Sequence, residues 1–303
     1  MKIAVIGTIV RDVLELPDGS VTHSLGGLLY TINALRACLD ESDTVCPFCT
    51  VGEDVYSQVI RMYRNDPIVD LSGLIPVPGQ NNRVRVVYHS REDRSEYSLS
   101  PLPPLSFDQV KAVLECDAII VNMISGWDIH LETMKKIRKH FPGPIALDVH
   151  SLTLGRKENG LRYLRYPDRI TEWIECADIV QMNEAEFKLI TEKYPSPEFF
   201  WTASCFKQPK IINLTFGSRG SRSYLVDPEG VLAHDSAPYQ RIEVVDPTGC
   251  GDAFMAGFLV GYLRSRDWKQ AADQANRVAA VSGAFKGLPE PRGLKEKLEE
   301  LHD

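Results

Sequence analysis

The sequence IALDV at residues 145–149 is a near-continuous apolar run, and DAIIV at residues 117–121 is a second one. A strand that is covered by helices on both faces carries apolar residues in succession, whereas a half-exposed strand alternates apolar and polar residues. The two runs therefore predict strands in the interior of a mostly parallel sheet.

Short apolar runs alternate with helical patterns on either side of these two strands. Further strands are predicted near residues 2–6, 45–51, 178–182 and 210–215. Helices are predicted near residues 27–39, 54–65, 106–115, 128–140, 167–176, 183–193, 253–264, 268–284 and 294–301. A β-then-α order of this kind predicts an α/β fold, in which helices cover both faces of a mostly parallel central sheet.

Two segments depart from this order. Residues 11–25 alternate loosely around the turn PDG at 17–19, and residues 82–100 alternate polar and apolar on either side of a charged connection. Half-exposed strands outside a parallel sheet predict a small β flap, or lid. The alternative for residues 82–100 is an extension of the main sheet at its edge. A half-exposed sheet also offers a pairing edge to a second copy, so a homodimer through the lid is a further expectation.

The composition is that of an ordinary globular protein. The chain has 303 residues, of which 44% are hydrophobic and 25% charged, and its formal net charge is −7. We predict one α/β domain over residues 1–303, although this length also allows two average domains. Acidic and basic residues are mixed along the chain, which argues against nucleic acid or an anionic membrane as a partner.

The cysteines indicate a reducing compartment. Seven cysteines, an odd number, are scattered through a sequence in which we find no export signal and no stretch of transmembrane length. This pattern predicts a cytoplasmic protein with reduced thiols. Cys46 and Cys49 have the CxxC spacing of redox and zinc sites, but their neighbours are typical of a core strand. Two buried thiols are therefore favoured over a redox or metal site.

The stretch DPTGCGDAF at residues 246–254 carries the strongest functional signal. Gly249 and Gly251 precede an apolar helix and allow several backbone N–H groups to point at one spot, where the positive end of the helix dipole also lies. Such a spot binds an anion. Asp252 places a carboxylate beside it that can accept a proton from an alcohol during phosphoryl transfer. The alternative is structural, since Asp is also favoured at helix starts.

This stretch resembles the signature D-T-x-G-A-G-D of the ribokinase-like (PfkB) carbohydrate kinases, from which Pro247 and Cys250 depart. The resemblance implies a ribokinase-like fold and an ATP-dependent enzyme that moves the γ-phosphoryl group to a hydroxymethyl group of a sugar or sugar-like small molecule. It also implies that the backbone amides of Gly249, Cys250 and Gly251 form the anion hole, and that Asp252 is the catalytic base.

The resemblance extends to the acceptor site. It places Asp12, Gly26 and Gly27 beside the acceptor, and Thr31 stands where sugar kinases usually carry a substrate-facing Asn. Residues 28–30 (LLY) are bulkier and more apolar than small residues would be at this entrance, and they either pack into the core or face the pocket. In the second case a nucleoside, or another alcohol with an aromatic part, becomes the favoured acceptor.

The resemblance also places a set of residues beside the nucleotide, namely Asn183, Glu186, Thr215, Gly217, Gly220 and Asn276. Asn183 and Glu186 resemble the N-x-x-E motif, whose Glu organises the water shell of Mg²⁺. The alternative for this pair is a capping box at a helix start. Asp246 and Thr248 match positions where some relatives bind a monovalent cation such as K⁺.

Two departures leave other interpretations open. The missing Asn at Thr31 also allows a catalytically silent nucleotide-binding regulator. The sequence DVH at residues 148–150 stands where many relatives have D-P-N, and His150 is interpreted as a loop residue rather than a catalytic group.

Overall fold

The computed structural model describes residues 1–89 and 94–301, so the connection at 90–93 of the predicted lid lies outside the described residues. The strands are β1 (Lys2–Ile6), β2 (Ile9–Glu15), β3 (Val21–Gly27), β4 (Thr44–Gly52), β5 (Leu74–Val77), β6 (Arg83–Tyr88), β7 (Arg94–Leu99), β8 (Ala118–Asn122), β9 (Ile145–Asp148), β10 (Leu154–Arg156), β11 (Arg162–Leu164), β12 (Ile179–Asn183), β13 (Lys210–Thr215), β14 (Ser221–Asp227) and β15 (Gly230–Ser236). The α-helices are α1 (Leu28–Cys38), α2 (Glu53–Tyr63), α3 (Phe107–Val110), α4 (Leu131–His140), α5 (Ile170–Glu175), α6 (Glu184–Thr191), α7 (Pro197–Phe200), α8 (Cys250–Ser265), α9 (Trp268–Gly283) and α10 (Pro291–Glu300).

The central sheet has nine strands in the order β15-β14-β13-β12-β9-β8-β1-β4-β5. The strands from β13 to β5 pair in parallel, which confirms the predicted α/β fold. The antiparallel hairpin β14–β15 extends the sheet beyond β13. The sequence analysis did not predict this hairpin, and the predicted helix at 106–115 is instead the short helix α3 followed by a 3₁₀ turn at Lys111–Glu115.

The hydrophobic core lies on both faces of this sheet. In β8, Ala118 and Ile120 pack into the cluster that contains α1 and α8, while Ile119 and Val121 pack into the cluster on the opposite face. Both sides of the strand are therefore buried, which explains why its sequence is apolar without alternation. Each fully buried Ile or Val side chain contributes roughly 1.5–3 kcal/mol to this core.

The lid is a separate four-stranded sheet in the order β3-β2-β6-β7. The flap interpretation of residues 82–100 is therefore confirmed over the described residues, and the alternative of an edge extension of the main sheet is wrong. A single bridge between Tyr97 and Leu161 places the small hairpin β10–β11 beside the free edge of β7.

The strand register brings polar side chains together at the carboxyl ends of the parallel strands. Asn122 at the end of β8 is paired with Asp148 at the end of β9, and Asp148 is paired with Gln181 in β12. Asn183 is likewise paired with Thr215. Side chains paired across neighbouring strands lie on the same face of a sheet. The carboxyl ends of these strands therefore carry a row of polar groups, as expected where an open α/β sheet binds its ligands.

The cysteines are all free thiols. Cys46 and Cys49 are buried in β4, as predicted, and among the described residues no group of three or more Cys, His, Asp or Glu side chains is placed to hold a metal ion. None of the helices in the described part of the chain has the length and hydropathy that a membrane span requires.

Asn33 is a polar side chain buried in the packing of α1. Its Nδ2 donates a hydrogen bond to the carbonyl oxygen of Pro289 at 2.8 Å, and its Oδ1 accepts one from the hydroxyl of Tyr63 at 2.5 Å. The side chain therefore joins α1 to the end of α2 and to the segment before α10.

We expect Asn33→Ala to lower the free energy of unfolding by about 1–3 kcal/mol, because the buried Tyr63 hydroxyl loses its acceptor. Urea unfolding measures the change. Adding Tyr63→Phe removes the orphaned hydroxyl, so the double variant should recover part of the loss. A double variant that loses the sum of the two single losses would show that the pair is not coupled.

Candidate active site

A cavity of about 510 Å³ lies between the lid, the carboxyl ends of the parallel strands and the start of α8. One end is lined from the lid and α1, and the other from β13, the turn after it, and α9. The lid end includes Val10, Asp12, Gly27, Tyr30, Val84 and Glu96. The far end includes Asn183, Thr215, Gly217, Gly220, Asn276 and Ala279. Residues 247–252 lie between the two sets.

Asp252 lies in the first turn of α8, at the middle of the cavity. Its Oδ1 accepts hydrogen bonds from Thr31 Oγ1 at 3.0 Å and from Asn122 Nδ2 at 2.5 Å. Burial raises the pKa of Asp252, while the nearby His150 and these two hydrogen bonds oppose the rise. Both donors go to Oδ1, so Oδ2 has no side-chain donor among the described residues and remains available to accept a proton.

Thr31 corrects one of the sequence predictions. It was expected to face the acceptor, but its side chain is fully buried and its hydroxyl is bound to the carboxylate of Asp252. Asn122, which the sequence analysis missed, donates to Thr31 Oγ1 at 2.9 Å as well as to Asp252. An amide from β8 and a hydroxyl from α1 therefore hold the carboxylate of Asp252 together.

The turn before α8 has two backbone amides available for an anion. Gly249 has φ of +79°. A Cβ there would lie 2.1 Å from the Tyr30 ring, so only glycine fits. The N–H of Cys250 donates to the carbonyl oxygen of Pro247 at 3.2 Å, which closes the turn and takes this amide out of the predicted anion hole. The amides of Gly249 and Gly251 have no partner among the described residues.

Asp148, Glu186 and His150 form a charged cluster beside Asp252. Gln181 Nε2 donates to Asp148 Oδ2 at 3.0 Å and to the carbonyl oxygen of Gly251 at 2.9 Å, which joins the sheet to α8. Burial, with the nearby charge of Glu186, raises the pKa of Asp148 well above its ordinary value. Several carboxylates thus share one poorly solvated place, where a cation would be stabilised.

His150 contacts this cluster directly, although the sequence analysis interpreted it as a loop residue. Its Nδ1 lies 3.6 Å from Glu186 Oε1, and its φ of +24° is unusual for a residue with a side chain. The side chain is half exposed. Partial desolvation opposes the charged imidazolium, but Glu186 and the charges of Asp148 and Asp252 raise the pKa of His150 to about 9. The neighbouring carboxylates therefore favour the imidazolium.

Asn183 and Glu186 form a capping box at the start of α6. Asn183 Oδ1 accepts from the amide of Glu186 at 3.0 Å, and Glu186 Oε2 accepts from the amide of Asn183 at 2.8 Å. Glu186 Oε1 also accepts from Asn183 Nδ2 at 2.8 Å. The structural interpretation of this motif is therefore correct, and the same cap holds a buried carboxylate next to His150.

At the far end of the cavity, the predicted nucleotide-binding residues Thr215, Gly217, Gly220 and Asn276 all line the wall. Gly220 has φ of +87°, and a Cβ there would lie 2.4 Å from the carbonyl oxygen of Ser236. Asn276 Nδ2 donates to Ser221 Oγ at 2.9 Å and to the Ser236 carbonyl at 3.2 Å. This amide thus holds α9 against the hairpin β14–β15.

Asp246 fixes the loop before α8. Its Oδ1 accepts from the amide of Thr248 at 2.9 Å, and its Oδ2 accepts from the amide of Gly287 at 2.9 Å. The two residues predicted to hold a monovalent cation, Asp246 and Thr248, are thus joined by a hydrogen bond in the loop before α8.

At the lid end, Asp12 lies against Gly26. A Cβ on Gly26 would lie 2.3 Å from Asp12 Oδ2, so this close approach requires glycine. Burial and the neighbouring Glu96 raise the pKa of Asp12 to about 7. Glu96 is one of the cavity residues that the sequence analysis missed.

Residues 28–30 were expected either to pack into the core or to face the pocket, and each alternative holds for part of the segment. Leu28 and Leu29 are fully buried in the core, whereas Tyr30 lines the cavity and packs its ring over Gly249. Burial and the charges of Asp12, Asp246 and Asp252 raise the pKa of Tyr30, so its hydroxyl stays protonated.

Two known structures resemble this fold over nearly their whole length. A ribokinase of Arabidopsis thaliana, complexed with ribose and ATP, superposes with a TM-score of 0.73 at 20% identity, covering 98% of both chains. A pyrophosphate-dependent kinase in the ribokinase family, complexed with a pyrophosphate analogue and myo-inositol, has a TM-score of 0.76 at 16% identity and covers 98% of this chain and 100% of that one. At these identities the likeness shows the ribokinase-like fold.

The sequence is also similar to characterised enzymes. A cytidine kinase of Thermococcus kodakarensis is 23% identical over 290 residues, which cover 88% of this chain and 90% of that protein. The family model of the pfkB family carbohydrate kinases matches residues 2–288, from the first strand to the loop after α9. The signature turn, the polar row at the strand ends and this match agree: the chain belongs to the pfkB family of carbohydrate kinases.

Proposed function

We propose that this enzyme transfers the γ-phosphoryl group of ATP to a hydroxymethyl group of a small polyhydroxylated acceptor, with Asp252 as the base. The observation that supports this most directly is one turn of backbone. Residues 249–252 place two unpaired amides and a carboxylate with a free oxygen side by side at the middle of the cavity. An anion site next to a base is what phosphoryl transfer to an alcohol requires.

The proposed reaction proceeds in line. The acceptor hydroxyl gives its proton to Asp252 Oδ2 as its oxygen forms a bond to the γ-phosphorus. The bond between the γ-phosphorus and the oxygen that bridges to the β-phosphate breaks, and ADP leaves with that electron pair. The amides of Gly249 and Gly251 hold the negative charge on the transferring group, assisted by the dipole of α8.

Mg²⁺ fits the charged cluster. The carboxylates of Asp148 and Glu186 lie close enough to raise the pKa of Asp148, and oxygen ligands of this kind suit a hard cation. In this proposal the carboxylates of Asp148 and Glu186 would hold Mg²⁺ through water, and the ion would supply positive charge to the β- and γ-phosphates. We also propose a monovalent cation beside Asp246 and Thr248, where Asp246 keeps its charge in a turn that supplies carbonyl oxygens.

ATP is favoured as donor because the cavity continues past the phosphate region to Asn276 and Ala279, where a base can lie. One of the similar structures is a pyrophosphate-dependent kinase, so pyrophosphate is the second donor to test. For the acceptor, a nucleoside is the alternative to a sugar, supported by the aromatic ring of Tyr30 at the pocket wall and by the similarity to a cytidine kinase.

The first prediction concerns turnover. With Mg²⁺ and K⁺ present, we expect ATP-dependent phosphorylation of at least one member of a panel of sugars, polyols and nucleosides, with a lower rate when pyrophosphate replaces ATP. Asp252→Asn should lower kcat by about 10²–10⁴-fold, because the base is lost.

The control is ATP binding by Asp252→Asn, measured by calorimetry, which should be the same as in the wild type. Undiminished turnover in this variant would refute the assignment of the base, and ATP binding without any turnover in the wild type would favour the silent regulator.

The second prediction concerns the support of the base. Thr31→Val removes one hydrogen bond to Asp252 at nearly constant volume, and we expect kcat to fall roughly three- to tenfold, with the KM for ATP unchanged. Thr31→Ser keeps the hydroxyl and is the matched control. Equal rates for the Val and Ser variants would show that the hydroxyl does not position the base.

The third prediction concerns stability against pH. Because the pKa of Asp252 is raised in the folded protein, folding disfavours its charged form. The resulting loss in the free energy of unfolding is absent below the ordinary Asp pKa. It grows as pH rises towards the raised pKa of Asp252 in the folded protein, and it is constant above that pKa. The stability of Asp252→Asn relative to the wild type should therefore rise with pH over that window, as measured by urea unfolding.

The matched control for this trend is Asp235→Asn. Hydrogen bonds from Arg222 lower the pKa of the exposed Asp235, so folding favours its charged form. The relative stability of this variant should fall, not rise, as pH increases through the ordinary Asp pKa. The same trend in both variants would contradict the account.

A further inference from the structure

Polar atoms of three side chains at the lid lack a hydrogen-bond partner among the described residues. Asp12 and Glu96 line the cavity, and within the described part of the chain no hydrogen bond or ion pair engages either carboxylate. Arg162 in β11 is not itself a lining residue, and two of its guanidinium atoms, Nε and Nη1, are buried without an acceptor. Unpaired acceptors therefore line the cavity, and unpaired donors are buried just outside its lining.

The strand register places these three side chains on one face. Asp12 is paired with Val84, and Glu96 is paired with Val86 two residues further along the same strand. The Tyr97–Leu161 bridge then sets Arg162 opposite Glu96 in the neighbouring hairpin. Because residues paired across strands share a face, and residues two apart in a strand do so too, all three project from the same side of the lid.

Arg162 is buried, but its guanidinium group lacks hydrogen-bond acceptors. Its side chain is only 9% exposed, and its guanidinium carbon lies 5.1 Å from the centre of the Trp127 ring. The ring stabilises the cation but gives it no hydrogen-bond acceptor. A buried guanidinium with unpaired N–H groups is costly, which marks a place where a bound ligand would supply the acceptor.

Among the described residues, no neighbouring carboxylate fills this role. Asp128 already accepts from Thr8 Oγ1 at 2.5 Å and from the amide of Ser125 at 3.0 Å. Glu96 acts on Arg162 by its charge, but no ion pair joins the two side chains within the described structure. An unpaired carboxylate and an unpaired guanidinium of opposite charge therefore lie near each other without a direct ion pair.

The charges of these side chains decide which chemical group can bind between Arg162 and Glu96. An oxyanion would pair with Arg162 but would face the carboxylates of Glu96 and Asp12, whose charge outweighs that of one guanidinium. A hydroxyl group accepts from an N–H and donates to a carboxylate at once, so it satisfies both sides without adding charge.

Building on the proposed function, we propose that Glu96 and Arg162 together bind one hydroxyl group of a neutral polyhydroxylated acceptor, while Asp12 binds another. The acceptor would thus be held by its hydroxyl pattern on the lid side while the reacting hydroxyl lies at Asp252. Arg162 and Glu96 would set specificity for uncharged acceptors.

The test uses matched neutral and anionic probes: ribose with ribose 5-phosphate, glucose with gluconate, myo-inositol with its monophosphate, and cytidine with cytidine monophosphate. Thermal shift reports binding, and steady-state kinetics with ATP report turnover. In the wild type we expect a neutral member to bind and react in preference to its anionic partner. Arg162→Met and Glu96→Gln should each raise the KM for that neutral probe roughly 10- to 100-fold, the effect of losing a hydrogen bond to a charged group. The KM for ATP should change less than threefold.

The matched control is Arg165→Met. Arg165 lies just beyond β11 and is exposed, and its contact is with Asp168, so its loss should leave all constants unchanged. The double variant E96Q/R162M should lose no more than either single variant, because both residues bind the same hydroxyl.

Three results would overturn the proposal: an unchanged KM for the neutral probe in R162M, a wild-type preference for the anionic probes that R162M abolishes, or no binding of any neutral probe. A neutral probe that binds in an Arg162-dependent way, but is never phosphorylated, would support this inference while contradicting the proposed function.

Discussion

The site depends on one half-buried carboxylate. Asp252 is held by a hydroxyl from α1 and an amide from β8, and its own helix begins on the turn that offers the free amides. Gln181 in β12 binds the carbonyl oxygen of Gly251, and the ring of Tyr30 lies on Gly249. Segments more than 200 residues apart in the chain are thus fixed relative to one another within this one turn.

Negative charge governs the chemistry around this turn. Asp12, Asp148 and Asp252 all have a raised pKa because burial disfavours their charged forms. Protonation, a cation or the donors of a ligand would each relieve this cost. In the proposed reaction the ionised form of Asp252 is the reactive one, so the ligand-free site would be least stable in that form, and the binding of metal, donor and acceptor would stabilise it. A site arranged in this way would sacrifice stability for reactivity.

Much of the fold could be predicted from the sequence, because strands buried on both faces have unmistakable apolar runs. The hairpin β14–β15 could not, since several residues of β15 are exposed and its pattern resembles a loop. The lid strands were predictable from their alternation of polar and apolar residues.

Without the family resemblance, the site was predictable only at the turn of residues 249–252. The glycines and Asp252 are adjacent in sequence, so a local motif reveals them. Thr31 and Asn122 become partners of Asp252 only through tertiary packing, and Glu96 and Arg162 come to lie opposite each other only because two hairpins share an edge. The spacing of such residues in the sequence does not indicate that they lie close together in the fold. Only the backbone geometry shows that the amide of Cys250 is hydrogen-bonded within its own turn.

The central claim is that the turn at residues 249–252 holds the phosphoryl group during transfer. A crystal structure with Mg²⁺, ADP, aluminium fluoride and the acceptor tests it most directly, because the planar fluoride mimics the transferring group. The account predicts fluorine atoms within hydrogen-bond distance of the amides of Gly249 and Gly251, and an acceptor oxygen on Asp252 Oδ2. An aluminium fluoride group bound away from this turn, or an acceptor hydroxyl out of reach of Asp252, would contradict it.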